Sequence, residues 1–220
     1  MALPLKRTLG SVRSDIQTRL GFGMAGQAGV VNSQLIDSMI RDAQEQLYPH
    51  VDWLELKSTE IRNTGADQQF YDYPIDCNVD RIISISVYWN GRWIPLREGI
   101  NETDRGIASG NVPMKYERRD QLELWPVPPS ADYQLRFEYI RVLAPLVVDT
   151  DRLSLPDGIV FLHALSNAKA HYRQPDAQTY ASQLDALLIK VKQRYRGKTL
   201  WSKRDPVYGP YDNVTADQQV

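Results

Sequence analysis

The sequence predicts an α+β protein in which helical segments at both ends enclose a region of strands. Apolar residues recur every three to four positions in 8–50 and again in 154–197, as they do in amphipathic helices. Residues 51–150 instead carry short β-branched and aromatic runs separated by turn residues, a pattern typical of strands. Packing 8–50 and 154–197 into one helical bundle domain buries both apolar stripes. Residues 51–150 are then an inserted antiparallel β-rich region, and 198–220, which lack periodicity, an extended C-terminal arm.

The composition limits the function classes that remain open. Of the 220 residues, 42% are hydrophobic and 24% charged, and the net charge is −1. This balance excludes a surface that attracts nucleic acid everywhere, but it allows a local basic patch. A single cysteine, Cys77, excludes an internal disulfide framework and a cysteine-rich metal site, as expected in a reducing compartment. No apolar run reaches the roughly 20 residues that span a bilayer, so we expect no membrane insertion.

Two amphipathic helices are predicted near the N-terminus, over 8–20 and 33–48. Between them, Gly21, Gly23 and Gly26 have the G-x-G-x-x-G spacing of dinucleotide-binding loops. That motif must follow a strand and open a helix, because the phosphates bind at the helix N-terminus. Here it follows a helix, so it predicts a flexible connector and not a nucleotide site.

The most specific local signal is Asn90-Gly91, in the run DRIISISVYWNGRWIPL. A two-residue type I′ turn needs positive φ at both positions, which asparagine and glycine tolerate, so 80–96 is predicted to be a hairpin. Pro95 lacks a backbone N–H, which places its strand at a sheet edge. The alternation of side chains predicts one buried face, made of Ile83, Ile85, Val87, Ile94 and Leu96.

Five further strands and one long loop complete the middle of the chain. The residues from Tyr133 onward show the clearest alternation, with aromatic and leucine side chains on one face. Short strands joined by short turns predict an antiparallel sheet or a small barrel. The strands are predicted at 54–62, 69–73, 114–118, 122–127 and 133–142, and the loop at 98–113.

Two helices are predicted after Leu155. Pro156 suits the first helical position, and Asp157 suits the positive end of the helix dipole. The second helix covers 175–196, and the short connection before it predicts an antiparallel pair. Its apolar stripe has near-heptad spacing: Tyr180, Leu184, Leu187, Val191 and Tyr195.

Residues that could carry catalysis are few and scattered, and we expect no catalytic residue, cofactor or metal. The three histidines lack the spacing of a metal site: His50, His163 and His171. A nucleophilic pair between Cys77 and a histidine is a weaker interpretation than an idle cysteine. Asp149 and Asp151, like Glu102 and Asp104, form acidic pairs in turn-like segments. Two carboxylates can hydrolyse a sugar between them, so a hydrolase stays open as an alternative.

One charge feature stands out near the C-terminus, where seven basic residues and no acidic one occur between 190 and 204. Cations near a helix C-terminus are favoured by the helix dipole, which explains the first of them without any function. The functional interpretation is a contact with DNA or with an acidic partner surface. The residues of this possible contact are Lys190, Lys192, Arg194, Arg196 and Lys198.

Two long runs carry a resemblance to a known family. They are FYDYPIDCNVDRIISISVYWNGRWIPL and LRFEYIRVLAPLVVDTDRLSLPDGIVFLHALSNAKAHY. The first joins aromatics, a proline and an aspartate to a β-run with a tight turn, and the second joins a strand through a loop to Leu-Pro and a helix of small residues. Both are similar to head–tail adaptor (connector, head-completion) proteins of tailed bacteriophages. The resemblance covers about 8–196. The 21–30 loop and the tail are particular to this sequence, so the resemblance implies nothing about them.

The resemblance implies a structural virion protein and no enzyme. Its implied partners are the portal protein, a tail or nozzle protein, DNA passing through the channel, and further copies in a ring of usually twelve subunits. Its implied location is the neck or tail of the virion, with host cytoplasm during assembly. Two alternatives stay open: a phage tail-associated cell-wall hydrolase, and a nucleic-acid-binding module that uses 190–204.

The arm at 198–220 is predicted to bind the portal or a neighbouring subunit. Large aromatic residues are enriched at interface hot spots, and prolines limit the entropy that an extended segment loses on docking. An unstructured terminus is the competing interpretation. The predicted contact residues are Trp201, Lys203, Arg204, Tyr208 and Tyr211.

Overall fold

The computed structural model describes residues 6–22, 33–106 and 112–196, and only the backbone of Tyr195 and Arg196. This part of the chain is α+β, as predicted, with five α-helices and two four-stranded sheets. The helices are α1 (Leu9–Arg19), α2 (Ser33–Leu47), α3 (Glu102–Arg105), α4 (Asp157–His171) and α5 (Ala177–Arg196). The strands are β1 (Lys57–Asn63), β2 (Phe70–Tyr71), β3 (Cys77–Trp89), β4 (Arg92–Pro95), β5 (Arg97–Glu98), β6 (Lys115–Arg118), β7 (Leu122–Trp125) and β8 (Gln134–Arg141). Single 3₁₀ turns at Tyr48–His50 and Leu54–Leu56 connect α2 to β1.

The first sheet has the strand order β1–β8–β3–β4 and is antiparallel throughout. The predicted hairpin is confirmed, with Trp89 opposite Arg92 at its tip. Asn90 and Gly91 have φ values of 49° and 76°, as a type I′ turn requires. The strand that ends at Pro95 lies at the sheet edge, where its missing N–H costs no ladder hydrogen bond.

The predicted buried face of the hairpin is correct except at Ile83. Ile82 lies opposite Tyr139 and Ser84 opposite Glu138, so β3 has one extra residue at this point. Such a bulge reverses the side-chain alternation beyond it. Ile82 consequently packs toward the interior and Ile83 is 46% exposed.

The second sheet differs from the single antiparallel sheet or barrel predicted from the sequence. Its order is β2–β7–β6–β5, and β5 and β6 run parallel. A parallel pair needs a crossover connection, and the chain between β5 and β6 supplies it. That connection contains α3, so 98–113 is not simply a loop.

The two sheets enclose one apolar core, which we call the sheet cluster. It draws on both sheets, and its largest fully buried side chains include Phe137 and Tyr139 of β8. Its buried members are Tyr71, Ile85, Val87, Leu96, Tyr116, Leu122, Leu124, Leu135, Phe137 and Tyr139.

A second core, the helical cluster, lies between α1, α2, α4 and α5. It also takes in Trp53, which is fully buried and donates its indole N–H to the carbonyl of Leu47 at 3.2 Å. Helix α4 contacts α1, α2 and α5, and for that reason it buries more than the single predicted stripe. Its buried residues are Ile159, Val160, Phe161, Ala164, Leu165, Ser166, Ala168 and Lys169.

Helix ends agree with the sequence to within two residues. The Thr8 side chain accepts a hydrogen bond from the Ser11 N–H and caps α1. Pro156 is the N-cap of α4 and not its first helical residue, so Asp157 takes that position. Helix α5 begins at Ala177 rather than at 175.

Candidate interaction surfaces

The basic residues predicted near the C-terminus lie on the last turns of α5. Lys190, Lys192 and Arg194 are exposed and do not belong to the apolar stripe of α5 that packs on α4. None of the three forms an ion pair with another described residue. They are therefore free to bind an anionic partner.

The other predicted contact residues lie outside the described part of the chain. Arg196 is the last residue of α5, and its side chain is not described. The same holds for the whole of Lys198, Trp201, Lys203, Arg204, Tyr208 and Tyr211. The predicted connector at 21–30 also lies outside it from Gly23 onward.

The inner stripe of α5 packs on the helical cluster only in part. Leu184 is buried, whereas Tyr180, Leu187 and Val191 are half-buried. Leu188 also packs on the helical cluster, although it is not among the residues of the predicted near-heptad stripe. Helix α5 contacts α4 on this side, and its outer side faces solvent.

The sequence did not predict a groove that the structure shows between α2 and the chain after β8. Its cavity has a volume of about 380 Å³. Val147 and Val148 are 73% and 54% exposed beside it. The run VLAPLVV at 142–148 was a usable signal, since it is apolar without the alternation of a strand. The groove is lined by Arg41, Gln44, Glu45, Leu143, Ala144, Pro145, Leu146 and Val147.

Hydrogen bonds hold the outer wall of this groove in place. Arg41 donates its Nε–H to the carbonyl of Leu146 at 2.7 Å. The Asp151 carboxylate accepts the backbone N–H groups of Val147 and Val148 at 2.6 and 2.7 Å. Because these bonds fix the backbone, the apolar side chains of the wall are presented to solvent in a defined arrangement.

The first acidic pair considered for hydrolysis is used structurally. The Arg13 guanidinium bridges Asp37 and Asp149, with N–O distances of 2.6 Å to each, and ties α1 to α2 and to the loop before α4. The two backbone N–H groups bound by Asp151 lower the pKa of its carboxyl. A general acid needs a raised pKa, so this pair does not suit glycoside hydrolysis.

The second acidic pair braces α3 against the second sheet. Asp104 contacts the Lys115 ammonium at 2.7 Å, and this hydrogen bond lowers the pKa of the carboxyl. The carbonyl of Asp104 accepts the indole N–H of Trp125 at 2.5 Å. Next to it, the buried Glu123 pairs with Arg105 at 2.6 Å, which likewise lowers the Glu123 pKa, against the opposing effect of burial. These carboxylates stabilise the fold in their ionised form.

Cys77 and the histidines are not arranged for nucleophilic or metal chemistry. Burial raises the pKa of the Cys77 thiol to about 11, so little thiolate exists at neutral pH. Burial lowers the pKa of His163, whose ring lies 3.3 Å from the Asn167 amide. Among the described residues, no three His, Cys, Asp or Glu side chains come together as a metal site. No described helix is long and apolar enough to cross a membrane.

Comparison with known protein families gives a match. A family model described as SU10 adaptor protein matches residues 7–207. This range is longer than the 8–196 over which the sequence resembles head–tail adaptors, and it reaches the first residues of the arm. No curated protein matches the chain significantly.

Proposed function

The chain belongs to the SU10 adaptor protein family, a family of phage head–tail adaptors, and we propose that it forms the ring that joins portal to tail and extends the DNA channel. The observation that carries the proposal is the extent of the family match, which spans both apolar clusters, both sheets and the start of the arm. Membership implies a structural virion protein that interacts with portal and tail proteins. The proposal adds a closed ring, with twelve subunits as the expected number and assembly in the host cytoplasm.

Ring formation is proposed to depend on the portal as a template. Rings arise when one surface of a subunit binds a different surface of the next and the rotation closes. A net charge of −1 gives little electrostatic repulsion between copies once the portal has brought them together. We expect a largely monomeric free protein in light-scattering measurements and a complete ring in negative-stain images of the mixture with portal. Portal rings that bind no adaptor contradict the proposed function. A stable dodecamer that forms without portal contradicts the claim that the portal is needed as a template.

The arm is proposed as the element that docks on the portal or on a neighbouring subunit. Its aromatic residues, Trp201, Tyr208 and Tyr211, would fill pockets, and Lys203 and Arg204 would pair with acidic residues at the rim. Deleting 198–220 is expected to leave the melting temperature nearly unchanged, because every described member of both apolar clusters remains in the truncated protein. Binding to portal should be lost. Normal decoration of portal by the truncated protein would assign docking to the helical region instead.

We assign the cations of α5 to contact with the passing DNA or with an acidic protein surface. Lys190, Lys192 and Arg194 support this assignment because they are exposed and unpaired in the described structure. Contacts with phosphates release counterions, so DNA binding should weaken steeply with salt. A salt titration of DNA binding to the assembled ring, repeated with Lys190→Gln and Arg194→Gln, tests it. If both variants show the same dependence of DNA affinity on salt concentration as the wild type, DNA is ruled out as the ligand of these cations.

We further propose that residues 8–50 with 154–197 build the ring, and that 51–150 form an insertion carried on it. The sheet cluster draws on the middle of the chain alone, which supports this division, although the helical cluster combines both ends of the chain with residues of the middle such as Trp53 and Leu146.

A further inference from the structure

The outer side of α5 carries a distinct order of side chains. Ile189 is 57% exposed, which is unusual for so large an apolar residue on an outer helix face. Asp185 lies four positions before it and Lys192 three positions after it, so all three share one flank of the helix. Along α5, this flank is acidic, then apolar, then basic.

The groove beside α2 offers complementary charges and an apolar wall. Arg41 and Glu45 are one helical turn apart on α2 and both line the groove. The other wall is apolar and includes Leu143 and Pro145. Neither Arg41 nor Glu45 forms an ion pair with another described residue. The groove therefore offers a cation and an anion, one helical turn apart, on the wall that faces its apolar wall.

These two surfaces lie on different flanks of the helical region. Helix α5 contacts α4, α4 contacts α2, and α2 forms one wall of the groove. Helices α4 and α2 thus separate the α5 flank from the groove within one chain. Two different, complementary surfaces on one subunit are what a heterologous contact between copies requires.

We propose that the outer flank of α5 of one copy sits in the groove of the next copy in the ring. Ile189 enters the apolar slot, Lys192 faces Glu45 and Asp185 faces Arg41. Complementary charges of this kind fix the register of an interface and exclude the inverted arrangement. Lys190 and Arg194 project from the other flank of α5 and stay available to DNA, whereas Lys192 is used in the contact between copies and not in DNA binding. This inference rests on the proposed ring and names the surfaces that build it.

Charge reversal tests the contact. Lys192→Glu and Glu45→Lys are each expected to lower the number of adaptor subunits per portal ring about tenfold, since each places like charges opposite one another. The double variant should recover most of the wild-type occupancy, because the pair is restored with its signs exchanged. Gln183→Glu, which adds a negative charge to the other flank of the same helix at an exposed residue with no assigned contact, is the control and should form normal rings.

A cross-link tests the geometry independently. Val147→Cys and Ile189→Cys are combined in a Cys77→Ser background and oxidised on the portal. A ladder of covalent multimers beyond the dimer is expected, because each copy is joined to two neighbours through different sites. Dimers only, or no cross-link, overturn the inference.

The outcomes separate this inference from the proposed function. If wild-type rings form but the charge swap gives no recovery and no ladder appears, the contact is wrong and the ring stands. If Glu45→Lys leaves the ring intact and instead abolishes binding of the tail protein, the groove receives that partner and the inference is overturned. If wild-type protein forms no ring on portal, both fall.

Discussion

The helical cluster and the sheet cluster are built from the chain in different ways. The sheet cluster uses residues between 71 and 139, and two facing sheets cover it. The helical cluster needs both ends of the chain, and on one side it is covered by α5, which packs mainly on α4 among the described elements. The groove, the exposed Ile189 and the unpaired cations of α5 all belong to the helical region. We expect the sheet cluster, which is built from one stretch of the chain, to contribute strongly to stability, and we propose that the helical region supplies surfaces for assembly.

Strand β8 nevertheless joins the two regions. Its residues Leu135, Phe137 and Tyr139 enter the sheet cluster, and Ile140 enters the helical cluster. One strand thus presents side chains to both cores, so we expect loss of one core to destabilise the other.

The largest expected effect comes from removing a side chain at the centre of the sheet cluster. Phe137→Ala should lower the free energy of unfolding by about 3–5 kcal/mol, because Phe137 is fully buried and removal of its ring leaves a cavity. Urea unfolding followed by far-UV circular dichroism and by tryptophan fluorescence should give coincident transitions, since β8 couples the cores. Two separate transitions, with the helical signal unshifted, would show instead that the regions are independent.

A smaller effect is expected on the outer helix. Leu184→Ala should cost about 2–3 kcal/mol, at the low end of the range for buried leucines, because α5 is covered on one side only. Gln183→Ala, the exposed neighbour, should cost almost nothing and serves as the control. Equal losses from the two variants in urea unfolding would mean that the buried face of α5 is assigned wrongly.

The hairpin turn gives a still smaller effect, confined to the backbone. A Cβ atom at Gly91 would meet nothing within 4 Å, so we expect the cost of Gly91→Val to come from the positive φ of 76°. A β-branched residue in that conformation should lower stability by about 1–2 kcal/mol. An unchanged melting temperature would mean that the turn relaxes to another type.

How far the sequence predicts this structure depends on how local each signal is. Asn90-Gly91 specifies the hairpin because the two residues alone determine the turn. The exposure of Ile83 was not predictable, because the bulge depends on how β3 pairs with β8, about fifty residues away. The parallel pairing of β5 and β6 depends on where α3 docks, and α3 has only four residues.

The candidate surfaces show the same limit. The cations at 190–194 were predictable from charge alone, and the structure places them on an exposed flank. The groove was missed because its walls, α2 and residues 143–147, are about a hundred positions apart. A surface formed by distant segments becomes visible only once the helices are packed.

The smallest expected effect concerns pH and distinguishes how the two regions are braced. Glu123 is buried and accepts hydrogen bonds from Arg105 and Gln69, and the Arg105 bond holds the pKa of its carboxyl below the ordinary value. A carboxyl with a lowered folded pKa stabilises the protein above its unfolded pKa of about 4.3 and loses that contribution as the pH falls through the folded value. The free energy of unfolding should therefore fall between about pH 5 and pH 3, and Glu123→Gln should show a shallower fall over that interval.

Glu102→Gln, which changes an exposed carboxylate on α3, is the control and should retain the wild-type slope. Parallel curves for wild type and Glu123→Gln would mean that the Arg105–Glu123 pair does not stabilise the sheet region, and that its acid sensitivity comes from the Asp104–Lys115 contact instead.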